Sequence, residues 1–363
     1  MAPGLREHAV PAFVTGGEAP RTWRARAFRP GDEAGIVRLF EQVFGRPITV
    51  EYWRWKLRTR PSLVDNVGLA VGDDDRPIFH LGGMPCRFQI GSREATVMVA
   101  VDGMTAPAYR RRGILTTVGR GLFQQWREAG IAMALGLPNE QWDRTGFGWQ
   151  TLFPLRWRVR LLRPERILAR RLGLPWLRRW RLWDTLWGPG KPRTRDIRIR
   201  EIDRAGPELD EVWERCRPQA GVSPVRDREW IEWRYLRAPH LRYRVLLAER
   251  AGQPVGFAAY GVRVTPGRRW GLIPELLTSP DDMPAARCLL QGMVYRLAQE
   301  DVDGISALAI PHTWLDRLLR RQGFFWSKGA FSVECVIFAP WLRLEDLRLP
   351  GIWHLTGGEF DVI

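Results

Sequence analysis

The stretch Asp102-Gly103-Met104-Thr105-Ala106-Pro107-Ala108-Tyr109-Arg110-Arg111-Arg112-Gly113-Ile114-Leu115 joins two segments of different periodicity. Upstream, Thr96 to Val101 reads as a strand. Downstream, Ile114, Leu115, Val118, Leu122 and Trp126 fall on one face of a helix. A strand that stops in a short loop of arginines and a glycine, followed at once by a helix, gathers unpaired backbone N–H groups at the positive helix end, an arrangement that suits a pyrophosphate. Gly113 lets the backbone approach phosphates closely, and Arg110 or Arg112 can add charge-assisted hydrogen bonds. Taken alone, such a turn is more often a solvated loop.

Working outward, the chain repeats itself. Glu51, Trp55 and Pro61 recur as Glu229, Trp233 and Pro239, each 178 residues later, and Pro77 recurs as Pro254 after 177. The run Ile131 to Leu137, closed by Pro138, recurs as Ile305 to Ile310, closed by Pro311, while Gly146, Phe147 and Trp149 recur as Gly323, Phe324 and Trp326. Collinear matches at a nearly constant offset predict two copies of one fold. Each copy reads as mixed α/β. In the first, a strand at Arg24 to Phe28 precedes an amphipathic helix at Asp32 to Phe44, and a hairpin follows around Gly72-Asp73-Asp74-Asp75, then the strand, loop and helix above and a strand at Ile131. The second copy repeats the scheme with Val245 to Glu249, Val255 to Tyr260, Leu272 to Leu277, a helix around Leu289 to Leu297 and a strand at Ile305.

These readings divide the 363 residues into a disordered Gly/Pro/Ala-rich tail over 1–23, a first domain over 24–155, a basic linker over 156–196, a second domain over 197–340 and an extension over 341–363. From Arg156 to Arg200, fourteen arginines and Lys191 stand against three acids, a net charge of +12 out of +16 for the whole chain. Trp176, Trp180, Trp183 and Trp187 recur there at three or four residues. This pattern fits a linker helix with solvated arginines, or a helix lying on an anionic membrane surface.

Composition excludes several classes. The charged fraction of 26% and hydrophobic fraction of 45% are those of a soluble globular protein. No apolar run is long enough to cross a bilayer and no secretory signal opens the chain, so the expected address is cytoplasmic, with peripheral contact to the inner membrane the variant. The four cysteines and five histidines are too scattered for a disulfide framework or a metal site, so no metal is expected. Lys56, Lys191 and Lys328 are the only lysines; an excess carried by arginine selects no ligand by itself, and nucleic acid is not expected.

The Arg-x-x-Gly loop after a central strand, followed by a helix, a second strand, Pro138-Asn139 and Gly146-Phe147, resembles the GCN5-related N-acetyltransferase (GNAT) superfamily, and the repeat resembles a tandem arrangement of it. Tyr52-Trp53-Arg54-Trp55-Lys56 and the Gly-Phe-x-Trp run are similar to acetyltransferase-like proteins of bacterial polysaccharide biosynthesis. The resemblance implies two GNAT-like domains, each a central mixed sheet flanked by helices, and acetyl-CoA or another acyl-CoA as cofactor. It implies that Arg110, Arg111, Arg112, Gly113, Ile114 and Leu115 hold the pyrophosphate, with Leu115 departing from the small residue usual there. Met104 and Thr105 would pair with the pantetheine arm and Asn139 would line it. The family's frequent tyrosine acid is Trp142 here, and an indole cannot donate that proton.

Transfer to an amine needs a base and donors for the developing oxyanion. Asp102 is the carboxylate nearest the expected thioester, with His80 and Glu140 behind it; its other role is a loop carboxylate paired with an arginine. In the second copy Asp281 and Asp282 stand where phosphates would lie, so that half is expected to be a scaffold or acceptor-binding half. The expected function is an acyl-CoA-dependent N-acyltransferase acting on a small-molecule or glycan amine, possible amino sugars or polysaccharide precursors included, with its acceptor pocket between the halves. The alternative is a non-catalytic double-GNAT binding protein that contacts membrane, polymer or nucleic acid through the basic segment.

Overall fold

The computed structural model describes residues 22–60, 62, 64–138, 144–174, 176–177, 190, 192, 196–217 and 221–360. The expected tail through residue 21, Asn139, Glu140 and Trp142, and Trp180, Trp183 and Trp187 with the arginines at 178, 179 and 181, lie outside the described residues.

The first half runs β1 (Trp23–Arg26), α1 (Glu33–Phe44), α2 (Val50–Arg58), β2 (Val67–Gly72), β3 (Pro77–Ile90), β4 (Arg93–Thr105), α3 (Ile114–Glu128), β5 (Met133–Gly136), α4 (Arg144–Phe147) and β6 (Gln150–Leu161). After α5 (Pro164–Leu172) comes β7 (Ile197–Ile202), α6 (Pro207–Cys216), β8 (Val222–Pro224) and α7 (Arg228–Ile231), which continues as a π-turn over Glu232–Leu236. Then follow β9 (Tyr243–Arg250), β10 (Gln253–Thr265), β11 (Arg268–Thr278), α8 (Met283–Gln299), β12 (Gly304–Ala309), α9 (Trp314–Arg321) and β13 (Phe325–Ile337), with α10 (Leu344–Leu347) in the C-terminal extension. Apart from the short β8 the two halves have one element order, as the repeated residues predict.

The strands form one mixed sheet in the order β1-β2-β3-β4-β5-β13-β6-β12-β11-β10-β9-β7, with β8 added beside β3. The last strands of the two halves are exchanged at its centre: β13 pairs with β5, β6 pairs with β12, and β6 and β13 pair with each other, all antiparallel. Residues 156–161, expected to begin a linker, are therefore a central strand, with Arg156 to Leu161 opposite Gly304 to Ala309. Alternation explains the misreading: Arg156, Arg158 and Arg160 point one way along β6, and a row of arginines read as a solvated run is instead partly interior. Arg158 is buried and donates to Asp316 at 2.7 Å, and Arg160 donates to the Gln322 carbonyl.

Two parallel pairs, β4 with β5 and β11 with β12, are each bridged by a helix, α3 and α8, as a parallel connection requires. Buried Ile114, Val118, Leu122, Phe123 and Trp126 face the sheet from α3. Gly83 makes room for Trp126, since a Cβ there would lie 2.5 Å from the indole. On the opposite face the repeat-related tryptophans meet. Trp55 Nε1 donates to the Trp233 carbonyl at 2.9 Å and Trp233 Nε1 returns a bond to the Trp55 carbonyl at 3.2 Å, with the rings stacked 5.0 Å apart. Reciprocal contacts of this kind mark an internal pseudo-twofold axis.

Candidate functional site

β4 is longer than its sequence pattern indicates. It continues past Val101 to Thr105, interrupted by a bulge: Val101 lies opposite Gly82 and Met104 opposite His80, so Asp102 and Gly103 together face Leu81. Asp102 sits at φ 52°, a left-handed conformation that aspartate tolerates better than most residues. Two neighbours hold it there. His80 Nδ1–H donates to the Asp102 carbonyl at 3.0 Å, a tautomer set by Trp53 Nε1, which donates to His80 Nε2 at 3.2 Å. Lys56 Nζ lies 2.6 Å from an Asp102 carboxylate oxygen, both side chains almost wholly buried. The sequence had offered an arginine as the alternative partner; a lysine from α2 fills that role, over the Tyr52 ring at 4.9 Å. Burial pushes His80 down to about 4, so it is a neutral positioning group and not a ready proton acceptor.

Ahead of the bulge β4 already parts from β5. Their parallel pairing covers only Val97 to Val99 with Met133 to Leu135. Among the described residues no strand pairs with the β5-facing edge of β4 from Val101 to Thr105, which leaves main-chain groups available to an extended ligand. A short helical turn, Pro107–Tyr109, then leads to the arginines and to α3. Arg111 has φ 61° and Gly113, the N-cap of α3, has φ 72°. Left-handed residues alternating with ordinary ones are the backbone pattern of anion-binding nests, and the α3 amides add the positive end of a fifteen-residue helix.

These elements enclose a cavity of about 490 Å³. Met104, Thr105, Arg110, Arg111, Arg112, Gly113, Ile114 and Leu115 all line it. Leu115, which departs from the family pattern, is half-buried against the core and forms part of the wall. The donor set suits an acyl-CoA: amides and guanidinium groups for a pyrophosphate, a free strand edge for a pantetheine amide, and apolar walls beyond. Asp102 stands beside this cavity and touches Lys56, with Gly103 the nearest bulge residue in its lining. Val43 and Phe44 from the end of α1, Phe79 from β3, and Tyr109 also line it and escaped the sequence reading. A visible signal was Phe44, an apolar residue at the close of an amphipathic helix that remains substantially exposed. Lys56 had its own signal, as one of three lysines placed directly after a repeated tryptophan.

The equivalent place in the second half is built to a different end. Asp282 caps α8 by accepting from the Ala285 amide, and Arg250 grips its carboxylate through two bonds of 2.7 and 2.8 Å, which holds it below the usual carboxylate range. Where Asp102 precedes Thr105 by three residues, Glu275 precedes Thr278, and it too is buried against a cation, Arg226 at 2.9 Å. Arg226 also bonds Glu359 of the C-terminal extension, and Tyr235 donates to Glu275. Burial, together with Glu359, pushes Glu275 up to about 7 against the pull of Arg226. Arg234, the counterpart of Lys56, donates to the carbonyls of Gly358 and Phe360. The extension thus packs into the second half beside β11. Among the described residues no cluster of three or more His, Cys, Asp or Glu could hold a metal, and no helix is long and apolar enough to cross a membrane.

Residues 24–151 match the family described as an acetyltransferase (GNAT) domain, a span that includes the whole cavity. No curated protein matches the sequence. Among solved structures, a GCN5-related N-acetyltransferase from Anabaena variabilis is similar at 12% identity and a TM-score of 0.63, covering 88% of this chain and 73% of that one. A conserved protein of unknown function from Enterococcus faecalis, described as a probable N-acyltransferase, aligns at 12% identity and 0.61 over 87% and 72% of the two chains. The N-myristoyltransferase of Saccharomyces cerevisiae, solved with bound myristoyl-CoA, aligns at 12% and 0.63 over 88% and 80%. At such identity the shared property is the fold, and each alignment takes in both halves of this chain.

Proposed function

We propose that this protein is an acyl-CoA-dependent N-acyltransferase with a single cofactor site, in the first half, and that it transfers the acyl group directly to an amine. The observation that carries the reading is the cavity in which the α3 N-terminus, Arg110 to Arg112 and the free edge of β4 converge. When bound, acyl-CoA supplies the activated thioester. The chain's own contribution is to hold the pyrophosphate with the Arg111 to Leu115 amides and neighbouring guanidinium groups, to align the arm along Met104 and Thr105, and to present bulge amides near Gly103 to the developing oxyanion. Acetyl is the acyl group named by the family description, and the apolar wall of Val43, Phe44, Phe79 and Met104 supports an aliphatic one.

For the acceptor the same reading takes an amine, with amino sugars and polysaccharide precursors the class implied by the Tyr52 to Lys56 likeness. Tyr52, Trp53, Trp55 and Lys56 are buried, however, so that run supports the packing of the halves and the Asp102 bulge; it does not line the cavity. Asp102 is our candidate base. To take a proton its carboxylate must leave or share Lys56, and this pairing favours a second reading, a protein that binds acyl-CoA without turning it over.

Calorimetry of the full chain tests the site. One acyl-CoA binds per chain. A β-branched side chain at the left-handed Gly113 costs about 1 to 3 kcal/mol locally, so Gly113→Val weakens binding at least about fivefold, while Asp282→Ala leaves it unchanged. Two equivalent sites, or unaltered affinity in Gly113→Val, would overturn the assignment.

A further inference from the structure

α5 carries two unlike faces. On one, Arg163 and Arg166 pair with Asp301, Arg170 pairs with Asp303 at 3.0 Å and donates to the Gly267 carbonyl, and Ala169 is buried. These contacts fasten the helix to the second half and to the tip of the β10–β11 hairpin. The other face has no such role. Leu168 is 51% exposed and Leu172, one turn on, 61%, with Arg171 exposed beside them. The chain then turns at Gly173 (φ 67°) and leaves Leu174 and Trp176 exposed as well. At the adjoining hairpin tip Val264 is 62% exposed, flanked by exposed Arg263 and Arg268.

Half of the ten large hydrophobic side chains exposed among the described residues thus gather on α5, the residues after it and this hairpin. A helix that folded only to join the halves would not need them outside. Their neighbours give the partner's chemistry. Among the described residues, Arg171, Arg263 and Arg268 have no carboxylate within ion-pair distance, whereas Asp301 and Asp303 are already engaged by the inner face. Apolar side chains bordered by uncompensated arginines complement a surface that is greasy beneath and anionic above.

We infer that α5 and the β10–β11 tip form a docking face for an anionic lipid membrane, with Leu168, Leu172, Trp176 and Val264 entering the headgroup region and Arg171, Arg263 and Arg268 meeting lipid phosphates. This face lies apart from the acyl-CoA cavity and does not depend on the acyltransferase reading. Of the tryptophans at 176, 180, 183 and 187 from which a membrane helix was expected, only Trp176 lies among the described residues.

Sedimentation of the full chain with vesicles tests it. The protein partitions onto mixed phosphatidylglycerol and phosphatidylcholine vesicles, partitions much less onto phosphatidylcholine alone, and is released by salt. Arg171→Glu, Arg263→Glu and Arg268→Glu each lower partitioning about fivefold or more, from the roughly 1 kcal/mol each arginine contributes at such a surface. Leu172→Glu combined with Val264→Glu abolishes it, and because both positions are exposed the thermal midpoint and acyl-CoA affinity stay those of the parent. Indifference to anionic vesicles, equal binding to neutral ones, or undiminished binding by these variants overturns the proposal. So does lipid-free self-association that the same variants remove, which would make the face an interface between copies.

Discussion

The two halves of this protein place a carboxylate at the same point of the same strand and surround it differently. In the first, Asp102 leans on one lysine at the bend of a bulge, and the strand beyond opens on a cavity floored by the amides of α3. In the second, Glu275 lies in a closed group of Arg226, Glu359, Tyr235 and Thr356, and the helix end that would receive phosphates is capped by Asp282 and clasped by Arg250. The fold is shared, and the difference lies in what satisfies its polar ends. Helix amides and strand edges left by this architecture must find partners somewhere. One half leaves them open at a cavity; the other answers them with its own side chains and the C-terminal extension.

That contrast can be broken at its most buried point. Removing a guanidinium that two buried carboxylates share typically costs about 3 to 5 kcal/mol, so Arg226→Met lowers the stability of the whole chain by that order in denaturant unfolding. If the second half is purely a support, the surviving folded protein still binds one acyl-CoA with parental affinity. A loss of binding at undiminished folded fraction would show that the halves are coupled at the site.

On the open side, Asp102→Asn separates chemistry from architecture. As a general base its carboxylate contributes about 100-fold or more; turnover on an amine acceptor falls at least that far while acyl-CoA affinity stays within a few-fold. Equal turnover in the variant would leave Asp102 as a partner of Lys56 alone and turn attention to a water as proton acceptor.

A smaller effect sharpens the comparison through pH. Burial holds His80 near 4 in the first half, and holds His354, which bonds the Leu276 carbonyl in the second, near 3. Both values lie below the ordinary 6.5, so the unfolded chain binds more protons as pH falls. Their stabilisation is complete above about pH 6.5 and declines on acidification by about 1.4 kcal/mol per histidine per pH unit, until each folded value is reached. His80→Gln flattens the wild-type fall in thermal midpoint between pH 6.5 and 4; an unchanged slope would place the acid sensitivity elsewhere.

The order of elements was legible in the sequence because it depends on local periodicity and on the spacing of Trp55 and Trp233, Pro77 and Pro254, and the two Gly-Phe pairs. So was most of the loop that lines the cavity, since arginines and a glycine between a strand and a helix constrain backbone and charge within a dozen residues. The exchange of β6 with β13 was not, because strand partners at the centre of a sheet are chosen by long-range packing that no local pattern records. The arginines of residues 156–160 looked like surface for the same reason: a buried arginine and a solvated one are the same letter until Asp316 or the Gln322 carbonyl is brought to it. Asp102 could be picked out as a carboxylate beside the site, but its lysine lies forty-six residues away in sequence, and only the folding of α2 across the β4 bulge brings that cation within 2.6 Å. What the sequence determined alone was the repeated unit and the loop that distinguishes its two copies. What tertiary structure decided was which polar groups each copy satisfies internally, because that depends on contacts between segments far apart in the chain.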